Sequence, residues 1–195
     1  MLNISNDCVR VELTQNDLII GFDCGDRDLN NFFNNDAILF QEQLLGQTHF
    51  FRHVESGKIV CAFSLSADSI KSNLLPNSRR KKIKQLIPNE KSLQSYPSFL
   101  IGRLGVSVEY RGQGVGTQLL KYIKLFTLKE FPYLGRFLVI DAYNKPDVLN
   151  YYQKNGFIFV FSSEEQEREY LKKSVESSES LHTRQMFYDM MRWKE

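Results

Sequence analysis

An apolar run, a glycine-rich loop and a helical pattern follow one another at residues 99–129, and this succession most constrains the fold. Residues 99–108 are largely apolar, as in a strand covered on both faces. The loop has three glycines within five residues, at 112, 114 and 116. Glycine permits positive φ and has no Cβ, so backbone N–H groups can close around an anion. The helix that follows directs its unpaired N–H groups and partial positive charge to the same place. We therefore predict a diphosphate cradle, with a purely structural strand-to-helix turn as the alternative.

Arg111 opens this loop and adds a planar guanidinium, which suits phosphate. Two better-known phosphate loops do not fit the sequence. The Walker pattern needs Lys and then Ser or Thr after its last glycine, whereas Thr117 and Gln118 follow here. The dinucleotide fingerprint needs glycines at three set spacings opening a βαβ unit, and residues 112–116 lack that spacing.

The rest of the chain alternates strand and helix patterns around what we predict to be one sheet. Asp26 or Asp28 is placed to cap a first helix that begins near residue 29, and Gly46 is placed to end it. A second helix is predicted from residue 113 to about 129. A third begins at Pro146 and stops at residues 155–156. Strands are predicted at residues 9–13, 48–54, 59–67, 99–108, 137–140, 157–161 and 184–191. This order predicts a single α/β domain over residues 1–195.

Charge is distributed unevenly, although the net charge is only +2. Residues 71–91 carry seven basic residues and one acidic residue. They form either a solvated loop or short helix, or a contact for the phosphates of a nucleic acid or of a cofactor. Residues 162–182 carry six glutamates and three basic residues, and we expect a charged, partly helical excursion on the surface. The candidates for phosphate contact are Arg79, Arg80, Lys81, Lys82 and Lys84.

Cysteine usage and hydropathy argue against metal and membrane roles. The three cysteines, Cys8, Cys24 and Cys61, have no metal-ligand spacing, so we expect reduced thiols in a cytoplasmic protein and no bound metal. No apolar run approaches the ~20 residues that span a bilayer. The first residues lack a basic and then apolar export signal, so we expect no membrane association.

Two motifs resemble the GNAT superfamily of N-acetyltransferases. Residues 111–116 read Arg-Gly-Gln-Gly-Val-Gly, similar to its Arg/Gln-x-x-Gly-x-Gly/Ala loop, and residues 150–157 resemble its Phe-Tyr-x-x-x-Gly-Phe ending. The resemblance implies a mixed, mostly antiparallel sheet of about six to seven strands, flanked by helices and with splayed central strands. It also implies acetyl-CoA as co-substrate and direct acetyl transfer to a primary amine in a ternary complex. The cofactor-binding residues it implies are Leu104, Val106, Arg111, Gly112, Gln113, Gly114, Val115, Gly116 and Thr117.

The second motif places Tyr152 on the catalytic tyrosine of the family and Tyr151 on its aromatic neighbour. A thiol titrates near ~8.5 and a phenol near ~10, so a tyrosine is protonated at neutral pH. It can therefore donate to the departing CoA thiolate as a general acid. The alternative is that the Tyr152 ring belongs to the core and its hydroxyl is idle.

The resemblance gives two further roles to the main chain. Residues 104–108 are implied to pair with the pantetheine arm like an added strand, and an N–H near Val106 is implied to donate to the acetyl oxygen. Asn144 either contacts the cofactor or caps the helix before Pro146. No general base is evident, because Glu109 is better explained by a solvated surface role. The other candidates, His49, His53 and His182, have no partner visible in the sequence.

A closer resemblance concerns one branch of the superfamily. Residues 22–25, Phe-Asp-Cys-Gly, followed by residues 29–32, Leu-Asn-Asn-Phe, look like its opening. Residues 102–106 and 139–142 look like its Gly-Arg-Leu-Ala-Val and Val-Asp-Ala strands, with Gly105 where that branch has Ala. The branch includes the toxins of bacterial toxin–antitoxin pairs, which acetylate the α-amine of aminoacyl-tRNA.

The acceptor is therefore a small molecule, a peptide or an aminoacyl-tRNA. The toxin interpretation implies an antitoxin partner and makes residues 79–84 the natural contact for tRNA phosphates. A homodimer is compatible with the resemblance. A non-catalytic acetyl-CoA-binding module is the alternative of a different class.

Overall fold

The structure is a computed structural model and describes residues 2–14, 21–75, 77–85, 93–171 and 180–193. The strands are β1 (Cys8–Glu12), β2 (Gln47–His53), β3 (Ile59–Lys71), β4 (Ser95–Val106), β5 (Phe137–Tyr143), β6 (Ile158–Phe159) and β7 (Thr183–Asp189). The α-helices are α1 (Ile4–Asp7), α2 (Arg27–Asn31), α3 (Ala37–Glu42), α4 (Asn77–Gln85), α5 (Val115–Glu130), α6 (Pro146–Lys154) and α7 (Glu164–Tyr170). A π-helix at Phe32–Asp36 joins α2 to α3, and 3₁₀ turns occupy Val108–Tyr110 and Met190–Trp193.

The strands form a seven-stranded sheet in the order β1-β2-β3-β4-β5-β7-β6. The β1–β2, β2–β3, β5–β7 and β6–β7 pairs are antiparallel, whereas β4 and β5 run parallel. The β4–β5 register comprises three residue pairs, from Ser98↔Phe137 to Leu100↔Val139. A mixed, mostly antiparallel sheet of about this size confirms the predicted fold class.

The chain divides into two compact units, so the single domain over residues 1–195 stays a prediction. The first unit comprises Met1–Ala67 and Ile101–Glu130. Helix α5 buries one face in it, as its periodicity predicts. In the same unit, aromatic side chains of the α2–α3 region pack against β2. The Phe33 ring meets the Phe50 ring edge-on, with 5.9 Å between the ring centres. These rings belong to a cluster whose buried members are Leu13, Phe22, Cys24, Phe32, Phe33, Ala37, Phe50 and Ala62.

The second unit comprises Asp68–Leu100 and Phe131–Glu195. Strand β5 is buried from Phe137 to Ile140, as predicted, and continues to Tyr143 in register with β7. Strand β6 covers two residues only, whereas a strand was predicted over residues 157–161. The buried cluster of this unit consists of Ile70, Leu75, Tyr96, Phe137, Val139, Val160, Phe161 and Phe187.

Gly46 does not end the first helical segment, contrary to the sequence prediction. Asp26 caps its start, as predicted, because its side chain accepts from the Leu29 N–H at 3.0 Å. The helix ends at Glu42, and Leu44 adopts the left-handed conformation with φ 58°. A Cβ on Gly46 would lie 3.1 Å from the Leu65 carbonyl oxygen. Gly46 is therefore required by close packing against β3 rather than by helix termination.

Candidate active site

The glycine loop lies in the first unit, between the 3₁₀ turn at Val108–Tyr110 and α5. Gly112 and Gly114 have φ values of 73° and 76°, which only glycine adopts without strain. A Cβ at either position would meet no protein atom within 4 Å, so the space beside them is open. These two glycines meet both requirements of an anion cradle.

Helix α5 begins at Val115, two residues later than predicted. The Gln118 N–H donates to the Gly114 carbonyl at 3.1 Å, which closes the first helical turn. Gly116 and Thr117 therefore belong to that turn, where N–H groups have no partner within the helix. Gly116 is a helical residue without positive φ, so the helix start rather than the bend explains its place.

Arg111 directs its side chain to an element that the sequence did not connect with the loop. Its Nη2 donates to the Cys24 carbonyl, and a Cβ on Gly25 would lie 3.1 Å from both Nη1 and Nη2. The guanidinium therefore packs against the tight turn at residues 22–25, which we call the 22–25 turn. The sequence motif at residues 22–25 was recognised, but it did not indicate a contact with Arg111.

The 22–25 turn also packs on β4. A Cβ on Gly105 would lie 3.2 Å from Phe22 Cε1 and from Phe33 Cε2, and 3.3 Å from Cys24 Cβ. This crowding explains glycine at a position where the resembling branch has alanine. Leu104 and Val106, on either side, are half-buried in β4.

Tyr152 lies on α6 in the second unit and is half-buried. Its ring centre lies 4.9 Å from that of Tyr151 and 5.7 Å from that of Phe157, both edge-on. Its carbonyl accepts from the Phe157 N–H at 3.0 Å, just after α6 ends. Burial raises the pKa of Tyr152 to about 12, so the phenol carries its proton throughout the neutral range.

Gly156 forms the bend after α6 that places the Phe157 ring against the Tyr152 ring. Its φ is 86°, and a Cβ would lie 3.0 Å from Tyr188 Cε2. The Phe157 and Tyr188 rings pack with their centres 5.7 Å apart. The predicted helix stop at residues 155–156 is confirmed, and it also shapes the support beneath Tyr152.

Asn144 is not the cap of α6, so that alternative is wrong. The N-cap residue is Lys145, which makes no side-chain capping bond, and Pro146 opens the helix. The Asn144 side chain donates to Glu164 Oε2 at 3.0 Å, and its N–H donates to the His182 carbonyl at 2.9 Å. A contact between Asn144 and a cofactor stays a prediction.

Two candidates for a general base, Glu109 and His49, are engaged or buried. Both carboxylate oxygens of Glu109 accept from Lys58 Nζ, at 3.0 and 2.8 Å. His49 is fully buried and stacks on Phe63 with ring centres 4.8 Å apart. Burial, and then the charge of Arg10, lowers the pKa of His49 to about 4. Neither side chain is placed to accept a proton from a substrate amine.

The basic run forms α4 in the second unit. Arg80, Lys81 and Lys84 are exposed, and Arg80 Nη2 donates to Asn77 Oδ1 at 2.6 Å. The side chains of Arg79 and Lys82, and all of residues 86–92, lie outside the part of the chain that the structure describes. Residues 77–85 of this segment therefore form a short helix, and a contact between its basic side chains and phosphates stays a prediction.

The acidic excursion is attached more firmly than a surface segment would be. Its helix, α7, buries Glu167, which is 3% exposed, against Arg184, which is 8% exposed. Glu167 Oε2 lies 2.6 Å from Arg184 Nε, and Glu167 Oε1 accepts from the Gln185 N–H at 2.6 Å. The charge content of this segment predicted solvent exposure and so gave no indication of the buried Glu167–Arg184 pair. Residues 172–179 of the predicted excursion lie outside the described residues.

The lining of one open cleft includes neither the glycine loop nor Tyr152. This cleft of about 650 Å³ lies on the α2 region of the first unit, and Asn30 and Asn34 in its wall already bond to residues 22–24. Its lining residues are Arg27, Asp28, Asn30, Asn31, Asn34 and Asn35. Within residues 2–14, 21–75, 77–85, 93–171 and 180–193, no group of three or more His, Cys, Asp or Glu side chains could hold a metal ion. None of the helices described there is both long enough and apolar enough to cross a membrane.

Comparisons with known proteins agree with this architecture. Residues 84–159 match the family model of the acetyltransferase (GNAT) domain. The structure of AtaT complexed with acetyl-methionyl-tRNAfMet is similar, with a TM-score of 0.70, 18% identity and coverage of 96% of this chain and 98% of that one. A tyrosine-to-phenylalanine mutant of KacT has a TM-score of 0.70, 19% identity and the same coverage. The AtaT mutant toxin bound to the C-terminus of the antitoxin AtaR and acetyl-CoA has a TM-score of 0.60, 15% identity and 96% coverage of each chain.

At these identities the structural matches establish the fold, which is that of the toxin acetyltransferases. The fold and the family match together define the class of protein, an acyl-CoA acetyltransferase. Residues 84–159, which match the acetyltransferase (GNAT) family model, are the part of the chain for which the resemblance found in the sequence is confirmed.

Proposed function

We propose that the chain moves an acetyl group from acetyl-CoA to a primary amine by direct attack in a ternary complex. The observation that carries the proposal is the loop at residues 111–117. Its two positive-φ glycines border open space, and it leads straight into the first turn of α5. Main-chain amides so arranged would accept the diphosphate of CoA.

The donor arm would then run along β4. Leu104 and Val106 would offer their main chain to the pantetheine, and an N–H near Val106 would donate to the acetyl oxygen as it gains charge. Gln113, Val115 and Thr117 would contribute through their backbone or their place in the helix start. Asn144 would complete the contacts only by giving up its bond to Glu164.

In the chemical step the neutral amine attacks the acetyl carbon. A carbon–nitrogen bond forms, the carbon–sulfur bond breaks, and the electron pair leaves with sulfur. Tyr152 is the proposed general acid for that thiolate, and the proton lost by the amine returns to the tyrosine through solvent. A phenol with a pKa of about 12 is a weaker acid than a thiol, so transfer of its proton to sulfur is completed by the proton that the amine releases. Before that transfer, the hydrogen bond from the phenol to sulfur strengthens as negative charge builds on sulfur.

Replacing Tyr152 with Phe tests this assignment. The variant removes only the hydroxyl, so we expect kcat to fall about a hundredfold, as for loss of a general acid. The dissociation constant for CoA should stay within about twofold, because the diphosphate contacts are untouched. Thiol release reports turnover, and calorimetry reports binding. Tyr133, which is 94% exposed, provides the control Tyr133→Phe. Equal turnover of wild type and Tyr152→Phe would remove the role of Tyr152.

Aminoacyl-tRNA is a second candidate acceptor, and α4 is the observation that favours it. Its exposed Arg80, Lys81 and Lys84 would contact tRNA phosphates. AtaT forms complexes with acetyl-methionyl-tRNAfMet and with the C-terminus of the antitoxin AtaR, and these complexes of that protein motivate the same kinds of partner here. An α-amine titrates near ~7.7, so less base assistance is needed than for a lysine near ~10.4.

Labelled acetyl-CoA offered with charged tRNAs, polyamines and peptides separates the acceptors. For the tRNA candidate we expect label on charged tRNA, and a weaker dependence of KM on salt after replacing Lys81 and Lys84 with Gln. Label on polyamines or peptides would favour the other acceptors. Binding of acetyl-CoA without turnover on any of them would favour a non-catalytic module. A homodimer stays a prediction.

A further inference from the structure

The 22–25 turn holds both ends of the segment that enters the glycine loop. At its start, the Val108 N–H donates to the Asp23 carbonyl at 2.9 Å. At its end, Arg111 Nη2 donates to the Cys24 carbonyl. Only Glu109 and Tyr110 lie between these anchors. The direction in which the chain enters the loop is therefore set by the turn.

Gly25 is fitted to this contact. Its φ is 71°, and a Cβ would lie 3.1 Å from Nη1 and Nη2 of Arg111 and 3.2 Å from Val108 Cγ1. Any other L-residue would strain the backbone and also push against the guanidinium. Gly57 shares the conformation, with φ 69°, but a Cβ there would meet nothing within 4 Å. The two glycines thus differ in neighbours and not in backbone conformation.

Hydrogen bonds within the protein hold the 22–25 turn in shape. Asp23 Oδ1 accepts from the Gly25 N–H and from Asn30 Nδ2, both at 2.7 Å. The Cys24 N–H donates to Asn30 Oδ1 at 2.8 Å. The Gly25 N–H bond, then the Asn30 bond and, less strongly, the Arg111 charge lower the pKa of Asp23. The carboxylate therefore stays ionised and keeps the turn assembled.

From this geometry we infer that the 22–25 turn positions the acetyl-CoA site, with Gly25 and Arg111 as positioning residues. The Arg111 side chain holds the loop so that its amides point at the diphosphate, and it does so by binding Cys24 rather than by binding phosphate. The inference rests on the proposed acetyl-CoA function of the loop. It gives a reason for the Phe-Asp-Cys-Gly sequence, which lies more than eighty residues before the loop.

Comparing Gly25→Ala with Gly57→Ala tests the inference by calorimetry with CoA. Both changes strain a positive-φ position, so both should lower the melting temperature, and Gly25→Ala should lower it further because its Cβ also meets Arg111 and Val108. Only Gly25→Ala should lower the affinity for CoA. We expect a loss of about tenfold, as when a hydrogen bond from a charged group is misplaced. S-acetylpantetheine lacks the diphosphate, so kcat/KM for that donor should match in the two variants. Equal CoA affinities would overturn the inference.

Arg111→Lys keeps the test decisive if Gly25→Ala does not fold. Lysine retains the charge but loses the planar fork, so it cannot serve the Cys24 carbonyl in the same way. We expect the affinity for CoA to fall by about tenfold in Arg111→Lys. The double variant Gly25→Ala/Arg111→Lys should bind CoA no more weakly than either single variant, because both changes break the same contact. An Arg111→Lys variant with wild-type affinity, or additive losses, would overturn the positioning role. Wild type that binds no CoA would overturn the proposed function as well.

Discussion

Protonation of His49 should make the protein lose stability in mild acid. The imidazole is 0% exposed and packs against the Phe63 and Phe126 rings, with ring centres 4.8 and 5.0 Å away. Within the described part of the chain, neither Nδ1 nor Nε2 has a hydrogen-bond partner. Arg10 packs over the Phe126 ring at 4.7 Å and adds a positive charge nearby. A charged imidazole is therefore penalised here by burial first and by repulsion second.

The magnitude follows from the change in pKa on folding. The pKa of His49 is lowered from 6.5 to about 4 in the folded protein. Between these values the unfolded chain binds more protons than the folded chain, so stability falls as the pH falls. The contribution of neutral His49 is complete above the unfolded pKa and is lost on going down to about pH 4. That interval corresponds to about 3 kcal/mol.

Urea unfolding of wild type and His49→Phe from about pH 7.5 to about pH 4.5 measures this contribution. The variant keeps an aromatic ring in the same slot and has no proton to gain. We expect its advantage over wild type to grow by about 2–3 kcal/mol as the pH falls through this range. His53→Phe, on the same strand but only half-buried, serves as the control for replacing a histidine with phenylalanine. Parallel curves for wild type and His49→Phe would refute the reasoning.

Two further predictions concern stability and can be measured by chemical unfolding. Gly135→Ala should cost about 1–3 kcal/mol, because its Cβ would lie 2.4 Å from Phe99 Cε2 and force the ring to move; an unchanged midpoint would show that the ring yields freely. Glu167→Gln should cost about 3 kcal/mol, since it removes the nearer of the two carboxylates that pair with buried Arg184. The exposed Glu165→Gln is the matched control, and equal midpoints for the two glutamate variants would contradict the prediction.

The glycine loop could be predicted from sequence because its constraints are local. Positive φ at Gly112 and Gly114 follows from a loop that must bend between a strand and a helix within a few residues. The stop of α6 at Gly156 is predictable for the same reason. In each case the residues that impose the conformation are neighbours along the chain.

Features that depend on distant contacts were missed or assigned to the wrong cause. Gly46 was expected to end a helix, but its place is set by β3, and Leu44 takes the left-handed conformation instead. The Arg111 side chain was expected at phosphate, and its bond to Cys24 spans 87 residues. The pairing of Glu167 with Arg184 was hidden in a segment whose charge predicted solvent exposure. Periodicity and composition carry no information on such partners.

A ligand cradle made of peptide groups responds to mutation in its own way. Replacing Gln113 or Thr117 changes what surrounds the amides and leaves the amides themselves in place. Replacing Gly112 or Gly114 bends the peptide path and removes the shape altogether. Side chains around such a loop can therefore change one at a time with small effects on binding. A substitution at either of its two positive-φ glycines instead removes the binding site.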